Sequence, residues 1–405
     1  MNNISGIRDC YGCGVCATAC GRNIIDIQLN AKGFYEPIVT DVERCAECGI
    51  CREVCSFLHD DIALKSTCLK SYAAWSNDRY VRRKSSSGGA GFEIGKYLLN
   101  EGYKVCGVRY IPERTRAEHF VATTKEELVQ SMGSKYIKSY TLDAFKSLNR
   151  KEKYLVTGTP CQIDSFRRYV RKFRCEENFI LLDFFCHGVP SLLMWQKYSE
   201  WAEQQVGTIT YASWRNKWNG WHDSWAMGID GKEHGEKIDW HDSYNLLIRE
   251  KKSFLQSRWS KGDMFYALFL GHCCMGKQCY EHCKFKYNHS SADIRIGDMW
   301  GETYQDDSDG VSCAIAFTEK GDELLKHVDC TLTEYSLEVV AEGQLRKSPA
   351  PLSISKRVEK CLQKSDSTIK DAYAILLNYR KRQRLLSRLK NPFQTMNNIL
   401  KRLRK

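Results

Sequence analysis

The 405-residue chain lacks long hydrophobic runs and shows no sign of an N-terminal secretion signal. Its longest apolar stretch, Phe179–Leu182, is ended by Asp183 and is far shorter than the ~20 residues that cross a bilayer. The first residues, Met1–Ser5, contain neither a basic segment nor an apolar one. We therefore expect a protein of the reducing cytoplasm, where its twenty cysteines stay reduced and are available to bind metal.

Acidic residues are absent from the C-terminal segment 379–405. This segment contains ten Lys or Arg residues, so the net charge of +12 leaves only +2 for the rest of the chain. Leucines recur at helical spacing among the arginines until Asn391-Pro392 interrupts the pattern. Such a tail suits an anionic membrane surface or an acidic partner, and a solvated tail would have the same composition. Nucleic acid is disfavoured as a partner because no motif that reads it is found.

Cysteine, by contrast, is plentiful, and eight of the twenty cysteines form two runs with the same C-x2-C-x2-C-x3-C spacing. The runs are Cys10, Cys13, Cys16, Cys20 and Cys45, Cys48, Cys51, Cys55. This spacing is typical of paired 4Fe-4S clusters, in which the fourth cysteine of each run serves the other cluster. Cys20 is therefore predicted to ligate the cluster held by the second run, and Cys55 the cluster held by the first run. A zinc site or a disulfide framework is the alternative, but zinc is usually held by two C-x2-C pairs.

The segment between the two runs predicts a β-hairpin. Ile24–Leu29 and Phe34–Val39 have strand character, and Asn30–Gly33 is a turn signal. Together with the cysteine runs, this segment resembles the bacterial two-cluster ferredoxin domain over roughly residues 5–60. The proline that usually follows each fourth cysteine is replaced by Gly21 and Ser56, which loosens the loop exit without removing a ligand.

After Lys65 the pattern becomes mixed α/β, and the first strand leads into a serine- and glycine-rich loop. Ser71–Ser76 predicts a strand, Ser85–Phe92 forms the loop, and Glu93–Asn100 predicts a helix. A loop that opens a helix presents free main-chain N–H groups that suit a phosphate. An ordinary turn would have the same composition.

Two later strands each run into a cysteine. Tyr154–Gly158 precedes Cys161, which is followed by a predicted basic helix, Ile163–Lys172, and Phe179–Phe185 precedes Cys186. Because ligands of α/β sheets bind at the carboxyl ends of the strands, both thiols are predicted to face one site.

Further motifs stand in a fixed order along the chain. With the Ser/Gly loop they are Gly158–Gln162, Cys186–Ser191, Trp214–Lys217 with Gly220-Trp221, Asp293–Gly301, Asp309–Ser312 and Phe317–Gly321. In this order they resemble the coenzyme F420 hydrogenase/dehydrogenase beta-subunit family over roughly residues 5–330. The resemblance implies an iron–sulfur flavoprotein that binds FAD. It would pass electrons between its clusters and a two-electron substrate, F420-like or another small molecule.

The resemblance also implies a third 4Fe-4S cluster within the catalytic domain. Its ligands would be Cys161, Cys186, Cys279 and Cys283. The last pair is spaced C-x3-C where the family typically shows C-x2-C, so the adjacent Cys273-Cys274 are candidate substitutes. Buried structural cysteines are the alternative.

On the same motifs, flavin or its surroundings would be contacted by Ser86, Ser87, Gly88, Gly89, Thr159, Gln162, Arg215, Lys217 and Asp298. Arg215 and Lys217 would bind an anionic group, with a solvated strand end as the alternative. His187 is the candidate proton donor, with a hydrogen-bonded structural histidine as the alternative. Asp298 and Trp300 would close the site or form a structural turn. An aromatic stretch runs over Trp214–Trp240, with His222, His234 and His241. Such residues can stack a planar substrate, but packing against a sheet face is the preferred interpretation.

The fold class predicted is α+β, with a ferredoxin-type 2x4Fe-4S domain, a mixed α/β flavin-binding catalytic domain and a basic helical tail. The domain bounds are 1–65, 66–150 and 151–345 for the ferredoxin domain and the two catalytic parts, and 346–405 for the tail. We expect a ferredoxin-linked, flavin-dependent reductase or dehydrogenase, whose partner is a redox protein or a small molecule. The alternatives are a non-catalytic electron-transfer subunit of a larger complex and a flavin-free iron–sulfur sensor.

Overall fold

The computed structural model describes residues 2–65, 67–231 and 254–390, and these contain fourteen strands in three sheets. The strands are β1 (Ile25–Leu29), β2 (Tyr35–Val39), β3 (Lys70–Ser76), β4 (Lys104–Ile111), β5 (Arg116–Ala122), β6 (Ser139–Tyr140), β7 (Tyr154–Thr157), β8 (Phe179–Phe184), β9 (Ile209–Ser213), β10 (Ala226–Gly231), β11 (Phe254–Arg258), β12 (Ile294–Asp298), β13 (Ser312–Ala316) and β14 (Cys330–Glu334). The helices are Val15–Thr18, Ile50–Glu53, Arg79–Lys84, Ala90–Asn100, Lys125–Val129, Leu142–Ser147, Pro160–Lys172, Leu192–Val206, Met264–Phe269, Lys277–Glu281, Glu319–His327, Leu337–Val340, Ser355–Gln363 and Ile369–Lys390. In this part of the chain, no helix has the length and apolar character that crossing a bilayer requires.

The N-terminal hairpin forms as predicted. β1 and β2 pair antiparallel, with Ile27 opposite Pro37. A short helix carries the third cysteine of each run, Cys16 or Cys51, and each helix is preceded by a glycine in the left-handed region, Gly14 (φ 76°) or Gly49 (φ 74°). At Gly14 a side chain is excluded as well, because a Cβ would lie 2.2 Å from Oγ1 of Thr141.

The large mixed sheet has the strand order β14-β3-β13-β12-β8-β7-β4-β5-β6. Its centre is parallel, since β12, β8, β7 and β4 pair parallel in turn. β13 is antiparallel to both β12 and β3, so β3 points the same way as β12. The carboxyl ends of β3, β12, β8 and β7 therefore lie along one edge, and each of these ends carries one of the predicted motifs.

The core of this sheet lies on both of its faces. On one face Leu155 and Leu182 pack with residues of the helix Ala90–Asn100. On the other face Val156 and Leu181 pack with residues of the helix Pro160–Lys172. Burial on both faces explains why the central strands read as continuous apolar runs rather than as alternating ones.

Two predicted helices begin earlier than expected, and in each case the loop residues supply the start. The helix predicted from Glu93 begins at Ala90, directly after Gly89 (φ 91°). The helix predicted from Ile163 begins at Pro160, because Thr159 and Gln162 form a capping box and proline suits the first helical position.

The C-terminal helices pack against the body and then leave it. The helices Ser355–Gln363 and Ile369–Lys390 contact each other and the helix Leu192–Val206. Leu376 is fully buried, whereas Leu389 is 77% exposed, so the helix has separated from the body by its last turns. The predicted break at Asn391-Pro392 and the basic segment after it lie outside the described residues.

Candidate functional site

The first set of thiols, Cys10, Cys13, Cys16 and Cys55, lines one cavity in the N-terminal domain. The main-chain N–H of Gly12 donates to the Cys10 sulfur at 3.3 Å, and the Cys13 thiol donates to Oγ of Ser165 at 3.3 Å. Burial raises the pKa of Cys55 to about 11 and that of Cys10 further. The free thiols of Cys10 and Cys55 would therefore hold their protons at neutral pH, and a bound metal would have to displace these protons.

The second set, Cys20, Cys45, Cys48 and Cys51, lines a neighbouring cavity. Nδ2 of Asn3 approaches the Cys45 sulfur at 3.5 Å. Cys20 thus lies with the second run and Cys55 with the first, which is the grouping that the spacing predicts. That these sets bind clusters stays a prediction.

The internal set, Cys161, Cys186, Cys279 and Cys283, comes together at the carboxyl ends of β7 and β8. The four thiols lie within electrostatic range of one another. Oγ1 of Thr159 lies 3.2 Å from the Cys161 sulfur, and the main-chain N–H of Val189 donates to the Cys279 sulfur at 3.4 Å. Burial raises the pKa of Cys161 to about 11 and that of Cys279 to about 12.

The two candidate substitutes for this set have other partners. The Cys274 thiol contacts Sδ of Met194 at 3.1 Å, and the Cys273 thiol donates to the carbonyl of Gly271 at 3.3 Å. Four sulfur donors without a carboxylate suit an iron–sulfur cluster at each set. Within the described ranges, no three Cys, His, Asp or Glu side chains lie close enough to hold a single metal ion.

Tyr11 connects the first set to the internal set, and sequence reasoning did not identify it. It follows Cys10 directly, and its hydroxyl donates to the carbonyl of His282 at 2.5 Å. Its ring packs edge-on against Phe57 and Phe285, with centroids 5.2 and 5.8 Å apart. Burial, and then the negative charge that Cys161 would carry, raise the pKa of Tyr11. His282 lies inside the C-x3-C segment, so the Cys279–Cys283 turn supplies the acceptor that anchors the N-terminal domain.

The Ser/Gly loop lies at the carboxyl end of β3. The carbonyl of Gly88 accepts from the main-chain N–H of Ser76 at 2.8 Å. A Cβ on Gly88 would lie 2.3 Å from the carbonyl oxygen of Ala74 and 2.6 Å from the nitrogen of Ser312, so only glycine fits. No side chain caps the helix that begins after Gly89. Its first N–H groups therefore suit an anionic group such as a phosphate.

Arg215 is buried and Lys217 is half-buried with its amino group engaged, which excludes the solvated strand end. Nζ of Lys217 donates to the carbonyls of Arg82 at 2.7 Å, of Ser87 at 2.5 Å, and of Asp309. Burial lowers the pKa of Lys217 to about 7. The guanidinium of Arg215 donates to the carbonyl of Ser86 at 3.1 Å. Both side chains thus anchor the Ser/Gly loop through hydrogen bonds to its main-chain carbonyls.

Asp298, at the end of β12, accepts both arms of Arg215 at 3.0 and 3.1 Å. The guanidinium carbon of Arg215 lies 4.9 Å from the ring centroid of Trp225 and 5.1 Å from that of Trp300. Nε1 of Trp221 also donates to Asp298 at 2.8 Å. This ion pair between aromatic rings joins the strand end to the Ser/Gly loop.

Thr159 and Gln162 shape the turn that presents Cys161. Each contributes to the capping box, and Nε2 of Gln162 donates to Oγ of Ser139 at 3.2 Å. Contact of either residue with a flavin stays a prediction.

His187 pairs with His272, which the sequence analysis did not identify. The two rings stack with centroids 4.9 Å apart, and Nε2 of His187 lies 3.2 Å from Nδ1 of His272. Burial lowers the pKa of His187 to about 4, so its imidazole is neutral at physiological pH. This is the geometry expected of a histidine that fixes the loop before Pro190.

In the described part of the aromatic stretch, Trp214 and Trp221 are buried, whereas His222 is exposed. Trp214 is buried against Trp195, with ring centroids 4.6 Å apart. His234, Trp240 and His241 lie outside the described residues.

Comparison with known proteins gives three kinds of match. Two family models of the coenzyme F420 hydrogenase/dehydrogenase beta subunit match, the N-terminal model over residues 71–146 and the C-terminal model over residues 151–336. A coenzyme F420 hydrogenase subunit beta from Methanococcus voltae is 35% identical over 123 residues, which are 28% of this chain and 44% of that relative. The chain thus matches less than half of the length of this curated relative. A chain of the F420-reducing [NiFe] hydrogenase complex from Methanosarcina barkeri aligns with a TM-score of 0.44 and 17% identity, over 80% of this chain and 94% of that one.

Proposed function

The chain belongs to the coenzyme F420 hydrogenase/dehydrogenase beta-subunit family, and we propose that it is an iron–sulfur flavoprotein oxidoreductase. It would pass electrons between 4Fe-4S clusters and FAD, and so reduce or oxidise a two-electron substrate that is F420-like or another small molecule. One observation carries the proposal: three sets of four thiols follow one another through the protein. Cys51 of the second set lies within electrostatic range of Cys16 of the first, and Tyr11 links the first set to the internal one.

The cofactors would supply the electron chemistry, since clusters carry single electrons and a flavin exchanges either one or two. The contribution of the chain is to hold them. The twelve thiolates would ligate three clusters, and main-chain N–H groups such as those of Gly12 and Val189 would donate to the sulfurs.

The flavin would lie at the edge where β3, β12, β8 and β7 end. Its proposed contacts are Ser86, Ser87, Gly88, Gly89, Thr159 and Gln162. Arg215, Lys217 and Asp298 would act by holding the loop, because their charged groups are already engaged by one another and by loop carbonyls. A proton-donating role for His187 belongs to the same proposal, although its neutral, paired imidazole favours a structural role.

The measurement that tests the proposal is the cofactor content after strictly anaerobic purification. We expect about twelve irons, as many sulfides and one FAD per chain. About eight irons with FAD would show that the protein has two clusters and that the internal cluster is absent. Iron without flavin, even after FAD is added, would overturn the catalytic proposal and favour a carrier or a sensor.

A second candidate is a non-catalytic electron-transfer subunit of a larger redox complex. It is favoured by the curated relative, which is named as a subunit of a hydrogenase. Anaerobic reduction of a deazaflavin by the isolated, flavin-loaded chain, with a reduced viologen dye as the electron donor, separates the two candidates, because a pure electron carrier would leave the deazaflavin unchanged.

We also propose that the protein is cytoplasmic and docks on an anionic membrane surface through its tail. Leu385, Leu386 and Leu389 are exposed at the end of the helix Ile369–Lys390, and arginines and lysines surround them. Apolar side chains within a cationic helix face suit the boundary between acyl chains and acidic headgroups.

A further inference from the structure

Two buried lysines lie beside the internal set. Lys286 is 7% exposed, and its Nζ donates to the carbonyls of Cys186 at 2.5 Å and His187 at 3.1 Å. Lys138 is 5% exposed and directly precedes Ser139, whose hydroxyl accepts from Gln162 at 3.2 Å. Both lysines act electrostatically on Cys186, and Lys138 also acts on Cys161.

The first set has charged neighbours of both signs. Glu36 acts on Cys10 and is held in place by the main-chain N–H of Asp9, 2.7 Å from its Oε1, and the half-buried Lys284 donates to the carbonyl of Ser56, next to Cys55, at 2.8 Å. Hydrogen bonding to the sulfurs does not separate the sets, because each has donors at comparable distances: Gly12 to Cys10 at 3.3 Å, Asn3 to Cys45 at 3.5 Å and Val189 to Cys279 at 3.4 Å. The internal set therefore differs from the other two in having two buried cations beside it, since Lys284 is half-buried and Arg22, which lines the cavity of the second set, is exposed.

We propose that Lys138 and Lys286 give the internal set the highest reduction potential of the three, which directs electrons inward from the N-terminal domain. This inference rests on the proposed function. Reduction adds one negative charge to a cluster, and a nearby cation stabilises the more negative form. Burial keeps water from screening that interaction, whereas Glu36 acts in the opposite sense on the first set. Each step moves one electron from one set to the next, and no bond is formed or broken.

The inward direction makes the chain a reductase rather than a dehydrogenase. A one-electron donor of low potential would supply the N-terminal sets, and the internal set would collect the electrons at the edge where the proposed flavin contacts lie. Lys138 and Lys286 are thus positioning residues that act on the cluster through their charge.

The test is a redox titration of the anaerobically purified full-length chain, followed by EPR. The variants are Lys138→Met and Lys286→Met, with Lys138→Arg and Lys286→Arg to retain the charge. Lys197→Met is the matched control, because Lys197 is also buried but donates to the carbonyls of Lys364 and Ser367. In each Met variant we expect the equilibrium constant for reduction of the highest-potential iron–sulfur couple to fall about tenfold. For a one-electron couple this lowers the reduction potential by about 59 mV. The Arg variants and Lys197→Met should keep the wild-type potential.

Two further variants identify the sets. Cys283→Ser should remove the highest-potential signal, and Glu36→Gln should raise the potential of one of the remaining couples. Unchanged potentials in Met variants that keep their full iron content would overturn the inference, and so would loss of a low-potential signal in Cys283→Ser. If one Met variant loses iron, the other Met variant decides, because each lysine acts on Cys186 independently. If the wild-type protein holds about eight irons, it has no internal cluster, and both that part of the proposed function and this inference are wrong. If it holds about twelve irons but the internal cluster does not have the highest potential, only this inference is wrong.

Discussion

Replacing Asp298 by asparagine removes one charge of an ion pair whose arginine is buried and whose carboxylate is 17% exposed, and it leaves the shape of the side chain nearly unchanged. Its partner Arg215 is only 2% exposed and donates to both carboxylate oxygens. In the variant, the guanidinium would stay buried without a counter-charge. The same guanidinium holds the carbonyl of Ser86, so the loss also reaches the Ser/Gly loop.

Breaking a buried pair by removing one partner costs about 3–5 kcal/mol. At about 2 °C per kcal/mol, the low end for large domains, the apparent Tm should fall by roughly 6 °C or more. The double variant Asp298→Asn with Arg215→Met removes both charges. It should therefore lose less than the sum of the two single variants, because no uncompensated charge remains.

The assay is thermal unfolding under anaerobic conditions at matched iron content, together with bound flavin. Asp307→Asn is the control, since Asp307 pairs with Arg82 at 2.7 Å but the two side chains are 25% and 16% exposed. Its cost should stay within about 1 kcal/mol. Equal Tm values for Asp298→Asn and Asp307→Asn would refute the reasoning that burial makes the Arg215 pair decisive.

Three further predictions concern protonation, iron and the tail. Burial lowers the pKa of His119 from 6.5 to about 4, so the unfolded chain binds the proton before the folded chain as the pH falls. The free energy of unfolding should therefore drop by up to roughly 3 kcal/mol between pH 6.5 and pH 4. His119→Gln should flatten the dependence of Tm on pH in that window. Cys283→Ser should lower the iron content from about twelve to about eight per chain. Cys274 lies outside the internal set, so Cys274→Ser should keep about twelve irons. An equal loss of iron in both variants would reject the ligand assignment. Deleting residues 379–405 should abolish pelleting with phosphatidylserine vesicles at low salt, and equal pelleting of the truncated chain would exclude docking through the tail.

The strands and the N-terminal hairpin could be predicted from the sequence because their signals are local. Tyr154–Thr157 and Phe179–Phe184 are apolar runs bounded by polar residues, and the observed bounds differ by one residue from those predicted. The helix starts were missed because loop residues set them: Gly89 in the left-handed region precedes one helix, and a capping box begins the other. Pro160 looks like a helix breaker until Thr159 and Gln162 are recognised as a box around it. The mixed α/β architecture followed from these elements, but the strand order of the large sheet did not.

The grouping of the cysteines was also predictable, since the spacing within each run fixes which thiols converge. Contacts over long sequence separations were not. Tyr11 meets His282 across 271 positions, and neither residue carries a motif signal. The pairing of His187 with His272 and the approach of Lys138 to Cys161 are of the same kind. Arg215 and Lys217 were predicted to bind an anionic group, which stays a prediction, and their part in holding the Ser/Gly loop became visible only in the packed structure.

The long-range contacts also define how the N-terminal domain is attached. Ser165, on the helix that begins next to Cys161, accepts hydrogen bonds from the Cys13 thiol and from the main-chain N–H of Ser56. Lys284, directly after Cys283, donates to the carbonyl of Ser56 at 2.8 Å. The segments that present the internal set are therefore the same segments that hold the loops of the first set. A change that loosens this junction would disturb both sets at once, so the N-terminal domain forms part of the wall of the internal set and is not merely an appended carrier.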